Sequence, residues 1–573
     1  MRAKTEDKSL RVISVLFLVI AIGVAVRLFV LQIVEYQYYS TLALNSHEIY
    51  KQLFPTRGNI YIQDTRNHTE YPLAINRPYY LLYAVPRDIL AGEISSTTNF
   101  LANLLQLPPE KKIVIQEKLS KSNDLYETLA RKVSDENIDK ISSANIKGIN
   151  YSSQQFRYYP EQNLAANVVG FVGSDVAGNL VGNYGIEGFW EKELAGKSGF
   201  LSGEQGALGS WISLAGRTIH HAQDGDSLLL TIDRTLEYKS CERLRQGFEE
   251  YKAKSATLII MEPSTGAILS MCSLPDFDPN NYGQATDLAA YNNTAVFTPY
   301  EPGSVFKPIA MAAALDLGVV SPDTTYVDTG ERIIDDYKIH NALNKKYGLA
   351  TMTNVLENSI NTGMIFVEEK LGRENFKNYV EKFGFGKETG IELDTETSGD
   401  ISSFSKRAAI YYANGAFGQG FTATPLQLVT AYAALANNGK LPKPYIVSQI
   451  RHADGQVEKT EPRIVENVIS PRADQLITGM LTSVVEKTYK NVAKIPGYYI
   501  AAKTGTAQIA QGGKYSEATN HTFIGYFPAD NPKFVMVVKY EAPDRLWAEQ
   551  TAAPVFKDIA KFALDYYGIP ANR

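Results

Sequence analysis

Residues 302–308 read Pro302-Gly303-Ser304-Val305-Phe306-Lys307-Pro308, and the rest of the chain is understood outward from them. Pro-Gly ahead of an apolar run is a helix-start signal. Ser304 is therefore expected at or near a helix N-terminus, with Lys307, three residues on, sharing its face. Free N–H groups and the helix dipole favour negative charge developing there on a serine oxygen or an attacked carbonyl. Pro308 lacks the N–H that would bond the Ser304 carbonyl, so the first turn is expected to be irregular.

Two later peptides extend the pattern, Ser359-Ile360-Asn361 and Lys503-Thr504-Gly505-Thr506. A serine hydroxyl is a poor nucleophile until a base removes its proton. Lysine, with a reference pKa of about 10.4, becomes that base when it is desolvated beside a second cation. Lys307 is read as the neutral base and Lys503 as the cation that keeps its proton and holds a carboxylate. Ser359 is expected to pass a proton to the leaving amine and Asn361 to hold the substrate's amide. Gly505, having no Cβ, admits a close backbone, so a peptide can add to the sheet as a further strand. Thr504 and Thr506 offer hydroxyls to the carboxylate, and the backbone N–H groups of Ser304 and Thr506 form the expected oxyanion hole. Together these groups predict acyl transfer through an acyl-serine.

Each peptide alone is a weak signal, because the chain repeats all three. Ser403-Phe404-Ser405-Lys406 is a second S-x-x-K, Ser143-Ala144-Asn145 a second S-x-N and Lys197-Ser198-Gly199 a second K-[TS]-G. Order along the chain separates them. Lys197 and Ser143 precede any candidate nucleophile, and Ser403 follows the S-x-N that would serve it.

The chain has 573 residues, 44% hydrophobic and 21% charged, which predicts two or more domains with real cores. A net charge of −5 gives no reason to expect a nucleic-acid partner. Seven histidines without ligand spacing predict neither metal nor cofactor. The two cysteines, Cys241 and Cys272, are too few for a disulfide framework; they could pair, but the favoured reading is two buried, unpaired thiols.

Residues 12–26 carry no charge, and apolar character continues past Arg27 to Val34. As one helix, 12–34 would span about 34 Å, enough to cross a bilayer. Arg2, Lys4, Lys8 and Arg11 favour a cytoplasmic N-terminus, with everything after the anchor extracytoplasmic. A cleaved signal peptide is the weaker alternative, since the run is long and no A-x-A site follows it.

The expected organisation is a tail (1–11), an anchor (12–34), a polar, tyrosine-rich pedestal domain (35–221) and a catalytic domain (222–573). Residues 227–233 read as a buried strand opening the last of these, and 256–261 with 266–271 as a hairpin. Residues 304–440 are mostly helical in pattern; strands follow at 499–502, 521–527 and 534–540, then a closing helix at 553–567. The fold class is α/β (α+β), a mostly antiparallel sheet covered by helices.

With these residues in place, the chain resembles the class B penicillin-binding proteins, whose motif set includes S-x-x-K, S-x-N and K-T-G. The resemblance also rests on Pro55-Thr56-Arg57-Gly58-Asn59-Ile60, Arg157-Tyr158-Tyr159-Pro160, Gly185-Ile186-Glu187 and Leu230-Thr231-Ile232-Asp233. Thr265-Gly266-Ala267-Ile268-Leu269, Phe277-Asp278-Pro279-Asn280 and Gly418-Gln419-Gly420-Phe421-Thr422-Ala423-Thr424-Pro425 extend it. It implies a membrane-anchored D,D-transpeptidase that cross-links peptidoglycan stem peptides on lipid II-derived strands and is acylated by β-lactams. It further implies an elongated pedestal under a serine transpeptidase/β-lactamase-like domain. The implied partners are a SEDS-family glycosyltransferase and divisome membrane proteins. Ala502 to Gln508 and Ala552-Ala553-Pro554-Val555-Phe556 look more like the division-specific, FtsI-type branch than the elongation-specific one. Departures are the 61–67 turn, usually a tighter Asp-Arg-Asn-Gly, and Asn167 where many members carry histidine. A D,D-carboxypeptidase, or a non-catalytic β-lactam sensor or divisome scaffold, are the competing expectations.

Overall fold

Residues 255–261, Ser-Ala-Thr-Leu-Ile-Ile-Met, are apolar and β-branched without alternation, the pattern of a strand covered on both faces. In the computed structural model all seven are buried. They form the second strand of a wholly antiparallel five-stranded sheet, ordered Ile268–Leu274, Ser255–Met261, Phe534–Glu541, Lys514–Phe527 and Ala501–Gln511. Helices Arg234–Glu250 and Ala552–Tyr566 pack together on the sheet. A second group, Lys307–Asp316, Pro425–Leu435 and Pro471–Lys487, packs on it as well. Every residue of Pro425–Leu435 is buried. The α+β class read from the sequence is the class observed.

The structure describes Arg27 and residues 48–175, 180–204, 218–285, 287–489 and 491–571. The anchor expected over 12–34 lies, apart from Arg27, outside them. Among the described residues no helix is long and apolar enough to cross a membrane.

The strands expected at 499–502 and 521–527 are the buried half of a much longer hairpin, Ala501–Gln511 with Lys514–Phe527. Burial along the second of these runs from exposed at Lys514 to fully buried from Asn520 onward. Only the covered half carries an apolar signature, so the polar outer half is silent in the sequence.

A second, seven-stranded sheet combines early and late parts of the chain. Ser227–Asp233 pairs in parallel with Ile60–Asp64 and antiparallel with Val447–Arg451. Ile60–Asp64 continues through Thr69–Ala84, which pairs with both Glu127–Val133 and Ile149–Tyr158. Asp64 closes the 65–68 turn by accepting from the Arg66 and Asn67 N–H groups at 3.1 and 3.3 Å. Asn167 is buried, its Nδ2 donating to the Ala290 carbonyl at 2.6 Å.

Three of the quoted motifs meet in one ion cluster. Glu187, fully buried, takes Arg57 Nη2 at 2.6 Å and Arg157 Nε at 2.6 Å, and accepts from Tyr159 OH at 3.3 Å. Burial alone would raise the Glu187 carboxyl, but Arg157 and Arg57 hold it below its ordinary range. Removing one partner from such a cluster would strand a buried charge, a loss of about 3–5 kcal/mol.

The chain divides into two compact units: described residues up to Thr56 with Ala195–Gly225, and Arg57–Leu194 with Asp226–Arg573. The smaller one contains an antiparallel sheet of Glu48–Leu53, Gly199–Glu204 and Thr218–His220. In the larger one, the expectation of unpaired thiols is overturned: Cys241 and Cys272 form a disulfide. Helix Arg234–Glu250 packs on strand Ile268–Leu274 and brings their Cα atoms to 5.6 Å, a proximity invisible in the count of cysteines.

Candidate active site

Gly303–Phe306 is a 3-10 turn that runs directly into helix Lys307–Asp316. Pro308 sits in that helix's first turn, where a missing N–H costs nothing. The turn leaves Ser304 half-buried at the surface of a cleft while Lys307 points into the interior, fully buried.

Lys307 Nζ donates to the Ser359 carbonyl at 2.6 Å, to Asn361 Oδ1 at 2.8 Å and to Ser359 Oγ at 3.2 Å. Ser359 lies between helices Met352–Glu357 and Asn361–Leu371 with φ of +52°, the left-handed region that serine seldom occupies. Such a conformation costs about 1–3 kcal/mol, and here it accompanies presentation of both oxygens to the same amine. Burial, and then the positive charge of Lys503, push the Lys307 ammonium well below its ordinary range. Asn361 Nδ2 also donates to the His340 carbonyl at 3.0 Å, which uses one of its two amide N–H groups.

Lys503 lies on Ala501–Gln511, the strand at one edge of the five-stranded sheet, and is fully buried. Its Nζ donates to the Thr504 carbonyl at 3.1 Å and to Tyr489 OH at 3.3 Å. Burial lowers its pKa to about 8 against the raising effect of Glu549. Thr504 Oγ1 donates to Glu549 Oε1 at 3.2 Å and lies 2.7 Å from Tyr489 OH. A 510 Å³ cleft is lined by Ser304, Ser359, Asn361, Thr504, Thr506 and Glu549, among others.

Gly505 serves a closer approach than the one expected of it. A Cβ there would lie 3.0 Å from Val305 Cγ1 and 3.1 Å from the Pro302 carbonyl, so the strand packs directly on the turn that carries Ser304. Gly418, with φ of +85°, closes the other side: its carbonyl accepts from Gly303 N at 2.8 Å, and a Cβ would strike the Gly303 carbonyl.

All eight residues proposed from the sequence thus fall in or immediately behind one cleft. The repeated peptides do not assemble. Ser143 is on the exposed face of Asp135–Ala144, its Oγ donating to the Asp139 carbonyl at 2.7 Å. Lys197 belongs to the smaller unit, its backbone N donating to the Gln223 carbonyl. Sequence reasoning missed Tyr489 and Glu549. Neither lies in a motif; each arrives from a separate helix or turn, and only the fold brings them to Lys503 and Thr504.

Residues 256–561 match the penicillin binding protein transpeptidase domain, and residues 52–230 the penicillin-binding protein dimerisation domain. The chain is 31% identical to stage V sporulation protein D of Bacillus subtilis, over 99% of this chain and 87% of that one. It is 28% identical to a peptidoglycan D,D-transpeptidase FtsI homolog of Mesostigma viride, over 95% and 94% of the two chains. Among solved structures, penicillin binding protein 3 of Mycobacterium tuberculosis in complex with aztreonam superposes with a TM-score of 0.69. That pair shares 25% identity over 91% of this chain and 98% of the other.

Proposed function

Since the chain belongs to the class B penicillin-binding proteins, peptidoglycan D,D-transpeptidases of cell-wall synthesis, we propose that Ser304 is its nucleophile and Lys307 the base. The observation that carries this is the buried Lys307 amine, hydrogen-bonded to Ser359 and Asn361 one turn from the half-exposed Ser304. A neutral amine has two N–H donors and one lone pair. With the donors on the Ser359 carbonyl and Asn361 Oδ1, the lone pair of the neutral amine faces the Ser359 hydroxyl at 3.2 Å in the resting site and takes the Ser304 proton during attack.

Ser304 Oγ loses its proton to Lys307 as it bonds to the penultimate carbonyl carbon of the donor peptide. The resulting oxyanion is received by the Ser304 and Thr506 N–H groups, each worth about 3–4 kcal/mol in such a hole. Its collapse breaks the peptide bond, and the departing D-alanine nitrogen takes a proton through Ser359. An acceptor amine then attacks the ester, regenerating Ser304. Lys503, Thr504 and Thr506 hold the donor's carboxylate, and the free side of strand 501–511 accepts the peptide as an added strand. β-Lactams enter by the same route and stop at the acyl-serine.

We further assign residues 1–11, 12–34, 35–221 and 222–573 to tail, anchor, pedestal and catalytic domain. The catalytic domain would then stand outside the cytoplasmic membrane, in septal wall synthesis beside a SEDS-family glycosyltransferase and divisome proteins. Incubating the full-length protein with lipid II, that glycosyltransferase and a labelled D-amino acid tests the reaction. Cross-linked product supports transpeptidation; release of D-alanine without cross-links refutes it. A fluorescent penicillin adduct mapped to Ser304, and absent in S304A, tests the nucleophile.

A further inference from the structure

The substrate-carboxylate clamp is already occupied by the protein itself. Ala548–Gln550 forms a 3-10 turn across it. The Ala548 N–H donates to Thr506 Oγ1 at 3.2 Å, and Thr504 Oγ1 donates to Glu549 Oε1 at 3.2 Å. Because the Thr504 proton goes to Glu549, the 2.7 Å contact with Tyr489 has the phenol as donor, and Lys503 in turn donates to that phenol at 3.3 Å. A directed chain of hydrogen bonds therefore runs from Lys503 through Tyr489 and Thr504 and ends on a carboxylate. Glu549 lines the cleft that holds Ser304 and is half-buried, so it competes from within the site.

We propose that Glu549 is a specificity-determining residue whose carboxylate takes the hydrogen bond at Thr504 that a ligand's carboxylate needs, so that anionic acyl donors reach Ser304 only by displacing it. This rests on the assignment of Ser304 and of the Lys503 clamp above. Two carboxylates cannot share one hydroxyl proton, and their mutual repulsion is strengthened where water is excluded. The residue therefore discriminates by charge: it disfavours compact anionic donors and leaves uncharged ones unaffected. A long peptide, with its backbone paired along strand 501–511, has binding energy to drive the exchange that a small β-lactam lacks.

The test measures acylation of the full-length protein by benzylpenicillin and by its uncharged methyl ester, followed by intact mass and mapping to Ser304. In E549Q, and in E549A as a second variant, the ratio of the benzylpenicillin rate to the ester rate is expected to rise about tenfold at about pH 6, where Lys503 keeps its proton without the raising effect of Glu549. A thermal melt checks that each variant has folded. If that ratio is unchanged or falls, this inference is overturned while Ser304 stands. If wild-type protein gives no adduct on Ser304, both fail.

Discussion

Ser304-x-x-Lys307 and Ser403-x-x-Lys406 have the same motif letters and opposite fates. Both serines lie in 3-10 turns, Gly303–Phe306 and Ser402–Ser405. The first turn continues into a helix with Lys307 at φ −54°, ψ −42°, which carries the amine into the interior. The second ends at Lys406 in extended conformation, φ −86°, ψ 152°. Lys406 is exposed, its ammonium 4.7 Å from the Tyr411 ring centroid. Burial is reversed for the serines too: Ser403 is 8% exposed, with no hydrogen-bond partner for its Oγ among the described residues. Continuation of the turn into helix is what leaves the first lysine dry and its serine reachable.

The sharpest way to break this comparison is to remove each lysine. K307A should slow acylation of Ser304 by about 10²–10⁴-fold, the usual contribution of a positioned base, while K406A stays within about twofold. Stopped-flow labelling with a fluorescent penicillin measures both. Equal losses would mean that Lys307 acts only through fold stability. A thermal melt of K307M adds a second reading. Lys307 is driven below its ordinary range in the folded state, so the unfolded chain binds more protons. Wild-type stability relative to K307M should therefore rise with pH, by up to about 1.4 kcal/mol per unit, and level off above the unfolded lysine's pKa of about 10.4.

Why the order of motifs was legible and the rest of the site was not follows from the same contrast. Ser304, Lys307, Ser359, Asn361 and Lys503 announce themselves through short spacing, because each pair is fixed by one turn or one strand. Apolar runs such as 255–261 announce the sheet for a similar reason. Tyr489 reaches Lys503 and Glu549 reaches Thr504 through tertiary packing, from the segment after Pro471–Lys487 and the turn Ala548–Gln550. The Cys241–Cys272 bond and the parallel pairing of 227–233 with 60–64 are likewise contacts between distant segments.

A smaller effect is expected at Gly505. Alanine there places a Cβ 3.0 Å from Val305 Cγ1 and 3.3 Å from Val305 N, displacing the nucleophile's turn by tenths of an ångström. Acylation should fall by about 10- to 100-fold with a melting temperature lowered only a few degrees. A melt collapsed along with activity would make Gly505 a folding residue instead.

The gentlest probe is the second cation. Burial lowers the Lys503 pKa to about 8, so its grip on a carboxylate weakens as pH rises through that value. The acylation rate for an anionic β-lactam should accordingly fall about tenfold per unit on the alkaline side, and K503R should move that limb upward. Y489F tests how the cation is held. The phenol accepts from Lys503 at 3.3 Å and sits 2.7 Å from Thr504 Oγ1, both fully within the protein. Losing it removes one acceptor from a buried ammonium, a net change of about 0.5–1.5 kcal/mol. Acylation at pH 7 should drop about two- to tenfold, and the alkaline limb should shift to lower pH. A drop without that shift would mean that Tyr489 positions Thr504 alone. Lys406 needs no such support, because it is exposed and water already solvates it.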